Sequence, residues 1–295
     1  MSSIKTIPAT PTEKNKTEKN TLYLVATPIG NLSDISERAL KVLSDADFIA
    51  AEDTRNTKNL LLHFGIKKEL VSYYEHNKRQ RGEEITARIE NGECCALVTD
   101  AGMPAISDPG EDIVALCAEK GIKVTCIPGC CAAVTALALS ALPTGRFAFE
   151  GFVSTSKGER SKRLAEIKNE QRTLIFYEAP HKLKTTLSDF FEVFGDRRIA
   201  LCRELTKLNE EIIHTTLSQA IAMYEEKSPR GEYVLVMEGA KISQQSEEEM
   251  TLLKLSPQEH VSHYECQGLG RMDAIKAAAK DRGMSKSELY RILNV

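Results

Sequence analysis

The sequence predicts an α/β protein: two α/β domains followed by a small C-terminal helical module of helix-turn-helix type. Three observations carry that expectation. From Thr21, short apolar runs alternate with stretches of helical period. After Pro143-Thr-Gly-Arg146 strands begin to follow one another without a long helix between each pair. Beyond Pro257 only short helical patterns remain. The chain has 295 residues, and at roughly 150 per domain that allows two domains and an appendage.

The first strand is Leu22-Tyr-Leu-Val-Ala-Thr27, followed by a helix near Asp34 to Leu43 in which Glu37 stands three residues after Asp34, as at a helix start. Phe48-Ile-Ala-Ala51 is the next strand, and Thr57 to Phe64 a helix closed by Gly65. Helix Glu83 to Glu90 ends in Asn91-Gly92, before strand Cys95-Ala-Leu-Val-Thr99. Helix Asp112 to Glu119 ends at Gly121, before strand Lys123-Val-Thr-Cys-Ile127. This alternation implies right-handed crossovers and a mainly parallel sheet. In the second half, Phe147 to Val153 and Thr173 to Tyr177 are strands on either side of a charged helix, Gly158 to Lys168. A helix over Leu183 to Val193 leads to strands at Ile199 to Cys202, Glu211 to Thr215 and Tyr233 to Met237, with a helix near Ser218 to Glu225. Successive strands imply antiparallel pairing. The expected divisions are a disordered leader (1–20), domains over 21–142 and 143–240, a linker (241–255) and the helical module (256–295).

Composition narrows the class. Hydrophobic residues make up 42% and charged residues 27%, enough for a substantial core and against wholesale disorder. The 39 Lys and Arg against 42 Asp and Glu give a net charge of −3. That excludes a histone-like protein held to nucleic acid by bulk charge and leaves local basic faces open. The longest apolar run, Ala132 to Leu142, contains Thr135 and Ser140 and falls far short of the ~20 residues a membrane-spanning helix needs. Met1 to Asn20 carries no signal-peptide pattern, so the expected location is the cytoplasm. Of the eight cysteines, Cys94-Cys95 and Cys130-Cys131 are adjacent pairs whose side chains diverge. No CxxC pair offers metal spacing, so buried reduced thiols and no metal site are expected.

Three loops rich in glycine and proline follow strands, where open α/β sheets bind ligands. They are Thr27-Pro-Ile-Gly-Asn-Leu-Ser-Asp34, Asp100-Ala-Gly-Met-Pro-Ala-Ile-Ser-Asp-Pro-Gly110 and Pro128-Gly-Cys-Cys-Ala132. Glycine and proline set tight turns and admit a ligand to the backbone, while Asp100 can accept ligand hydroxyl or amine protons. Read singly, each loop is a turn; three on successive strand ends point to a ligand site. The first strand is followed by the single Gly30 and not by GxGxxG. That argues against an NAD enzyme and a Rossmann-type methyltransferase, and the lack of GxxxxGK[ST] against ATP hydrolysis.

Six motifs then occur in order: Pro28-Ile-Gly-Asn-Leu-Ser-Asp-Ile35, Glu52-Asp-Thr-Arg-Asn-Thr57, the Asp100–Gly110 loop, Phe176-Tyr-Glu-Ala-Pro-His181, Arg203-Glu-Leu-Thr-Lys207 and Gly231-Glu-Tyr-Val-Leu-Val236. Together they closely resemble the bacterial small-subunit ribosomal RNA methyltransferase I family, 2′-O-cytidine methyltransferases of the tetrapyrrole methylase superfamily. The resemblance spans about Leu22 to Gly239 and, more weakly, the C-terminal segment. It implies two α/β domains of tetrapyrrole methylase type, with S-adenosylmethionine folded in the cleft between them, in a homodimer. The implied substrate is a cytidine ribose in the decoding region of 16S ribosomal RNA, within the 30S subunit. The resemblance carries cofactor contacts onto Pro28 and Gly30, onto Asp100, Gly102, Pro104, Ile106 and Ser107, and onto Cys130, Cys131 and Ala132. It adds Tyr177, Ala179 and Pro180, then Glu232, Tyr233 and Val234. Two positions depart from the family pattern. Cys131 stands where Ser is usual, and a thiol donates hydrogen bonds poorly, which leaves its backbone amide; Asn209 follows Lys207 where His is common.

Methyl transfer to a ribose needs its oxygen in line with the methyl donor. The 2′-hydroxyl must also lose its proton or have its developing charge stabilised. Glu52, Asp53, Arg55, His76, Asp100, Glu204 and Lys207 are the groups near the expected cleft. The catalytic expectation is Asp100 or Glu52 accepting the proton, with Arg55 and Lys207 orienting phosphate or stabilising charge. The plainer readings are a surface ion pair within Glu52 to Arg55, a loop histidine at position 76 and a solvated Lys207. An RNA surface is expected where cations concentrate: residues 155–172 and 268–295 each carry six cations against three carboxylates, and Lys78-Arg-Gln-Arg81 adds a third cluster. The C-terminal helices either clamp RNA or stabilise a dimer. Methylation of a tetrapyrrole or other small molecule, and a non-catalytic RNA-binding ribosome-assembly factor, are the rival functions.

Overall fold

Strands that read as unbroken apolar runs are buried on both faces, as a parallel sheet covered by helices requires. The computed structural model describes residues 16–241 and 252–293. In its first half the order is β1 (Thr21–Val25), α1 (Glu37–Asp45), β2 (Phe48–Ala51), α2 (Thr54–His63), β3 (Glu69–Ser72), α3 (Lys78–Glu90), β4 (Cys94–Val98), α4 (Glu111–Glu119), β5 (Lys123–Ile127) and α5 (Ala132–Leu139). The five strands form one parallel sheet in the order β3-β2-β4-β1-β5. Every residue of β2 and β4 is buried. Side chains alternate between faces along a strand, so Cys94 packs with Val25, Val42 and Ile49 while Cys95 packs with Phe48, Ile85 and Ile113. All eight cysteines are free, and burial pushes the Cys117 thiol up to about 11.

The second sheet holds β6 (Phe147–Phe152), α6 (Lys157–Glu166), β7 (Thr173–Glu178), α7 (Leu183–Phe194), β8 (Arg198–Arg203), β9 (Glu211–Thr216), α8 (Leu217–Glu226) and β10 (Tyr233–Met237). Its order is β6-β7-β10-β8-β9; β6 runs parallel to β7 and every other pairing is antiparallel. The last strand therefore lies in the middle of the sheet. One face is covered by α7, which buries Leu183, Leu187 and Phe190 against Phe176, with the Phe176 and Phe190 rings 4.6 Å apart. Truncating a phenylalanine packed this way costs about 3–5 kcal/mol. Gly239 closes the sheet, since a Cβ there would overlap the Gln171 carbonyl.

Three elements differ from the sequence reading. β3 is a four-residue edge strand with a polar, half-exposed pattern, so it lacks the apolar signal of its neighbours. Helix α3 starts at Lys78, which puts the three basic residues of Lys78-Arg-Gln-Arg81 on its first turn, where Lys78 pairs with Glu75 and Asp112. The apolar run after Cys131 is α5, which follows the first sheet but packs Ala133, Ala136 and Leu137 against Ile175, Ala200 and Val236 of the second. Its other side leaves Val134 and Leu139 exposed.

The chain divides after Gly239 into two compact units. The second contains α9 (Pro257–Cys266), α10 (Arg271–Asp281) and α11 (Lys286–Leu293). Ser256 and Glu259 form a reciprocal capping box at the start of α9, with Pro257 at the position where a missing N–H costs nothing. Val261, Ile275, Ala278 and Leu289 make its core. The His260 side chain is fully buried there; its Nδ1 accepts from Arg282 Nε at 3.0 Å and its Nε2 lies 3.3 Å from Asp281. Of the expected leader, residues 1–15 lie outside the described residues, as do residues 242–251 of the expected linker. The end of the leader is ordered: Glu18 N donates to the Tyr23 hydroxyl at 2.7 Å and Lys19 pairs with Asp47 at 2.6 Å. Among the described residues no helix is long and apolar enough to cross a membrane.

Candidate active site

The C-terminal ends of β1, β2 and β4 face the ends of β7 and β8 and the start of β10 across a cavity of about 400 Å3. Two backbone hydrogen bonds tie its loops together, Thr27 N to Gly102 O at 2.9 Å and Gly102 N to Thr27 O at 3.1 Å. The loop after β1 also reaches the second sheet: Asn31 N donates to Thr206 Oγ1 at 3.1 Å. Gly30 makes that approach possible, because a Cβ there would overlap Lys207 Cγ and sit 2.8 Å from Thr206 Oγ1.

One side of the cavity is acidic. Glu52, Asp100 and Asp108 all line it. Asp100 is held by Asp53 N at 3.3 Å and Asn56 Nδ2 at 2.9 Å, while Thr99 Oγ1 donates to Glu52 Oε2 at 2.9 Å. Burial, and then the Glu52 charge, push the Asp108 carboxyl up to about 6. The loop carrying Asp100 and Asp108 holds Ala105 and Ser107 in the left-handed region, at φ +67° and +63°. Each such residue costs about 1–3 kcal/mol, and such strain gathers at ligand sites.

The opposite wall is an ionic triangle. Lys207 Nζ donates to Glu204 Oε1 at 2.9 Å and to Glu232 Oε2 at 2.8 Å, and Glu232 N donates to the same Glu204 oxygen at 2.9 Å. Burial works against the Lys207 ammonium, but the two carboxylates outweigh it and raise its pKa above the usual lysine value. The hydrogen bond from Glu232 N and the ammonium hold Glu204 below its ordinary range. Lys207 is thus a fixed cation. Glu204 and Thr206 are also left-handed, at φ +52° and +65°.

Between these walls, α5 starts at Cys131, whose side chain makes no capping bond. The Tyr177 hydroxyl takes over, accepting from Ala133 N at 3.2 Å. Phe149 and Phe152 meet the Tyr177 ring edge-on, at 5.0 and 5.5 Å. Burial pushes the Tyr177 phenol up to about 12, so it stays neutral.

Of the residues expected from sequence, Glu52, Asp100, Gly102, Ile106, Ser107, Cys131, Ala132, Tyr177, Ala179, Lys207, Glu232, Tyr233 and Val234 line this cavity. Pro28, Gly30, Pro104, Cys130 and Pro180 lie on the same loops but not in its wall. Arg55 is outside it as well, its side chain 87% exposed and paired with Asp53 at 2.7 Å. Glu204, singled out in the sequence, is in the wall; Ile29, Asp108, Phe152, Glu178 and Leu205 join it without having been singled out. For Asp108 the one available signal was its place in the Asp100–Gly110 motif. Among the described residues no three metal-ligating side chains converge.

Residues 21–221 match the family model described as Tetrapyrrole (Corrin/Porphyrin) Methylases. A Ribosomal RNA small subunit methyltransferase I from Halalkalibacterium halodurans is 48% identical over 95% of this chain and 96% of its own length. Its namesake from Bacillus subtilis is 47% identical over 93% and 94%. Among solved structures, a diphthine synthase superposes with a TM-score of 0.58 at 16% identity, covering 77% of this chain and 93% of that one. A uroporphyrin-III-C-methyltransferase from Thermus thermophilus gives 0.53 at 19% identity, over 74% and 94%. At such identities the structural likeness concerns the fold alone.

Proposed function

The chain belongs to the tetrapyrrole methylase family, and on that premise we propose that it methylates the ribose 2′-oxygen of a cytidine in the decoding region of small-subunit ribosomal RNA. It is a methyltransferase, and its methyl donor is S-adenosylmethionine. The observation that supports the RNA reading is that relatives named Ribosomal RNA small subunit methyltransferase I are 47–48% identical over 93–95% of this chain, the loops that wall the cavity included.

The residues present suit that cofactor. Its sulfonium and ammonium groups are cations, and Asp100, Asp108 and Glu232 give the cavity carboxylates; Ile29, Ile106, Leu205 and Val234 give apolar surface for an adenine. Bound there, the cofactor supplies an electrophilic methyl group. The protein's own task is to place the ribose hydroxyl and take its proton. Asp108 is the proton acceptor in this reading, ionised at neutral pH yet basic enough to be protonated. Asp100, fixed by Asp53 and Asn56, orients the hydroxyl. Glu52 keeps Thr99 in place, and the Lys207 triangle holds the β8–β9 turn against β10. Arg55, outside the wall and exposed, is assigned to backbone phosphate.

The partners this reading assigns are the assembled small subunit and a second copy of the chain, in the cytoplasm. Exposed Leu208 and Phe152 support a further protein surface there. Half of the cations in the stretch 155–172 are already paired, Arg160 with Asp189, Arg163 with Glu150 and Arg172 with Glu170. Lys276, Lys280 and Lys286 of the C-terminal unit are the better phosphate ligands. Purified protein should be incubated with labelled S-adenosylmethionine and naked ribosomal RNA, assembled small subunits or a precorrin. Label on the ribose of a decoding-region cytidine is expected; label on the tetrapyrrole alone overturns the reading.

A further inference from the structure

A second cavity of about 390 Å3 opens at the ends of β1 and β4, along α2 from Asn56 to His63. Asp100 stands in the wall of both cavities, so a ligand lodged in the second reaches the carboxylate that the first also exposes. The rest of the second wall is divided by chemistry. Pro28, Leu32 and Leu60 are apolar, while Asn56, Asn59 and His63 bring polar groups. The last three follow the i, i+3, i+7 spacing of one helix face. Asn56 is engaged with Asp100. Asn59 and His63 are exposed, and the Asn59 carboxamide bonds to none of the described residues.

We propose that this cavity receives the flipped-out pyrimidine base of the acceptor nucleotide, with its ribose directed at Asp100; the assignment rests on the RNA reading above. A carboxamide offers a donor and an acceptor side by side, the complement of a pyrimidine's Watson–Crick edge. Apolar walls suit the two faces of a base removed from its stack, and sequence-specific RNA binding works mainly on such splayed bases. The volume falls within the range of small-ligand clefts, about 300–1,000 Å3. The chemistry disfavours a polycarboxylate macrocycle, because the wall contains no Lys or Arg and does contain Asp100. Arg55 and Lys58 lie exposed on the same helix, where the flanking phosphates of a bound strand need cations.

The test compares wild type with Asn59→Ala and His63→Ala, using small subunits purified from cells that lack the enzyme. Both side chains are exposed, and an unchanged melting temperature and circular dichroism spectrum report that the fold is intact. The expected result is a rise of about fivefold to tenfold in KM for the subunits, the loss of one hydrogen bond, with kcat and the cofactor Kd within twofold. Wild-type product on a cytidine ribose together with unchanged KM in both variants overturns the inference alone. Loss of cofactor affinity in both variants also overturns it, by assigning the cavity to the cofactor. Absence of ribose product from wild type overturns the RNA reading, and the inference with it.

Discussion

Asp108→Asn should make the protein more stable and much less active at neutral pH, and both effects follow from one carboxylate. Its pKa rises from the ordinary 3.8 to about 6 because it is half-buried beside Glu52. At about 1.4 kcal/mol per pKa unit, that rise corresponds to about 3 kcal/mol; partial solvent access reduces it to about 1–2 kcal/mol. A folded value above the unfolded one means the fold favours the protonated form. The group's contribution is therefore complete below about pH 4 and is lost as pH climbs through about 6. An asparagine is neutral throughout, so the variant should melt about 2–6 °C above wild type at pH 8, with about half of that gap left at pH 5. Differential scanning calorimetry at the two pH values measures this. In parallel, wild-type kcat/KM should fall tenfold per pH unit below about 6. The variant should lose that limb and about 10²–10⁴ in rate. Equal melting temperatures at pH 8 would refute the burial argument, and a variant with the wild-type rate and acid limb would place the proton acceptor elsewhere.

Other perturbations test separate parts of the molecule. Gly30→Ala must push the loop after β1 away from Lys207 and should cost about 1–3 kcal/mol, with weaker cofactor binding by calorimetry. Cys131→Ser supplies α5 with the side-chain cap it lacks and should add about 1 kcal/mol, read as a higher melting temperature. In the C-terminal unit, burial and Arg282 hold the His260 pKa below 6.5, with Asp281 opposing. A lowered histidine favours the neutral form, so the stability it lends is full above pH 6.5 and declines in acid. Hydrogen exchange in α10 should be faster at pH 5 than at pH 7.5, beyond the intrinsic change, and His260→Gln should abolish that excess. Deleting residues 256–295 should weaken binding to small subunits in a filter assay while leaving cofactor affinity unchanged.

The sequence announces what local chemistry dictates. Alternating apolar runs reveal the parallel sheet, and the Gly-Pro loops at strand ends mark the side of the sheet that holds the cavity. What it conceals is tertiary. Asp108 owes its raised pKa first to burial and then to Glu52, which lies on a different loop far back in the chain. The approach of Gly30 to Lys207 joins two residues whose neighbours give no hint of each other. Helix α5 hides for a different reason: its almost wholly apolar composition has no polar face to betray a helical period, since Val134 and Leu139 stand on its exposed side. Strand β3 is the reverse case, too short and too polar to announce itself as an edge.

The central place of β10 orders events during synthesis. The first sheet is complete once Ile127 has been made, and its strands are joined by local crossovers. The second sheet has a gap between β7 and β8 until Tyr233–Met237 arrives. That strand also brings Glu232 to Val234, one wall of the cavity. Domains fold as they emerge, N-terminal first, so a nascent chain presents the Asp100 loop well before it has anything to close over it. Ligand affinity thus appears only when nearly all of the first unit has been translated, and a chain released early is left with two open strand edges, a liability for aggregation.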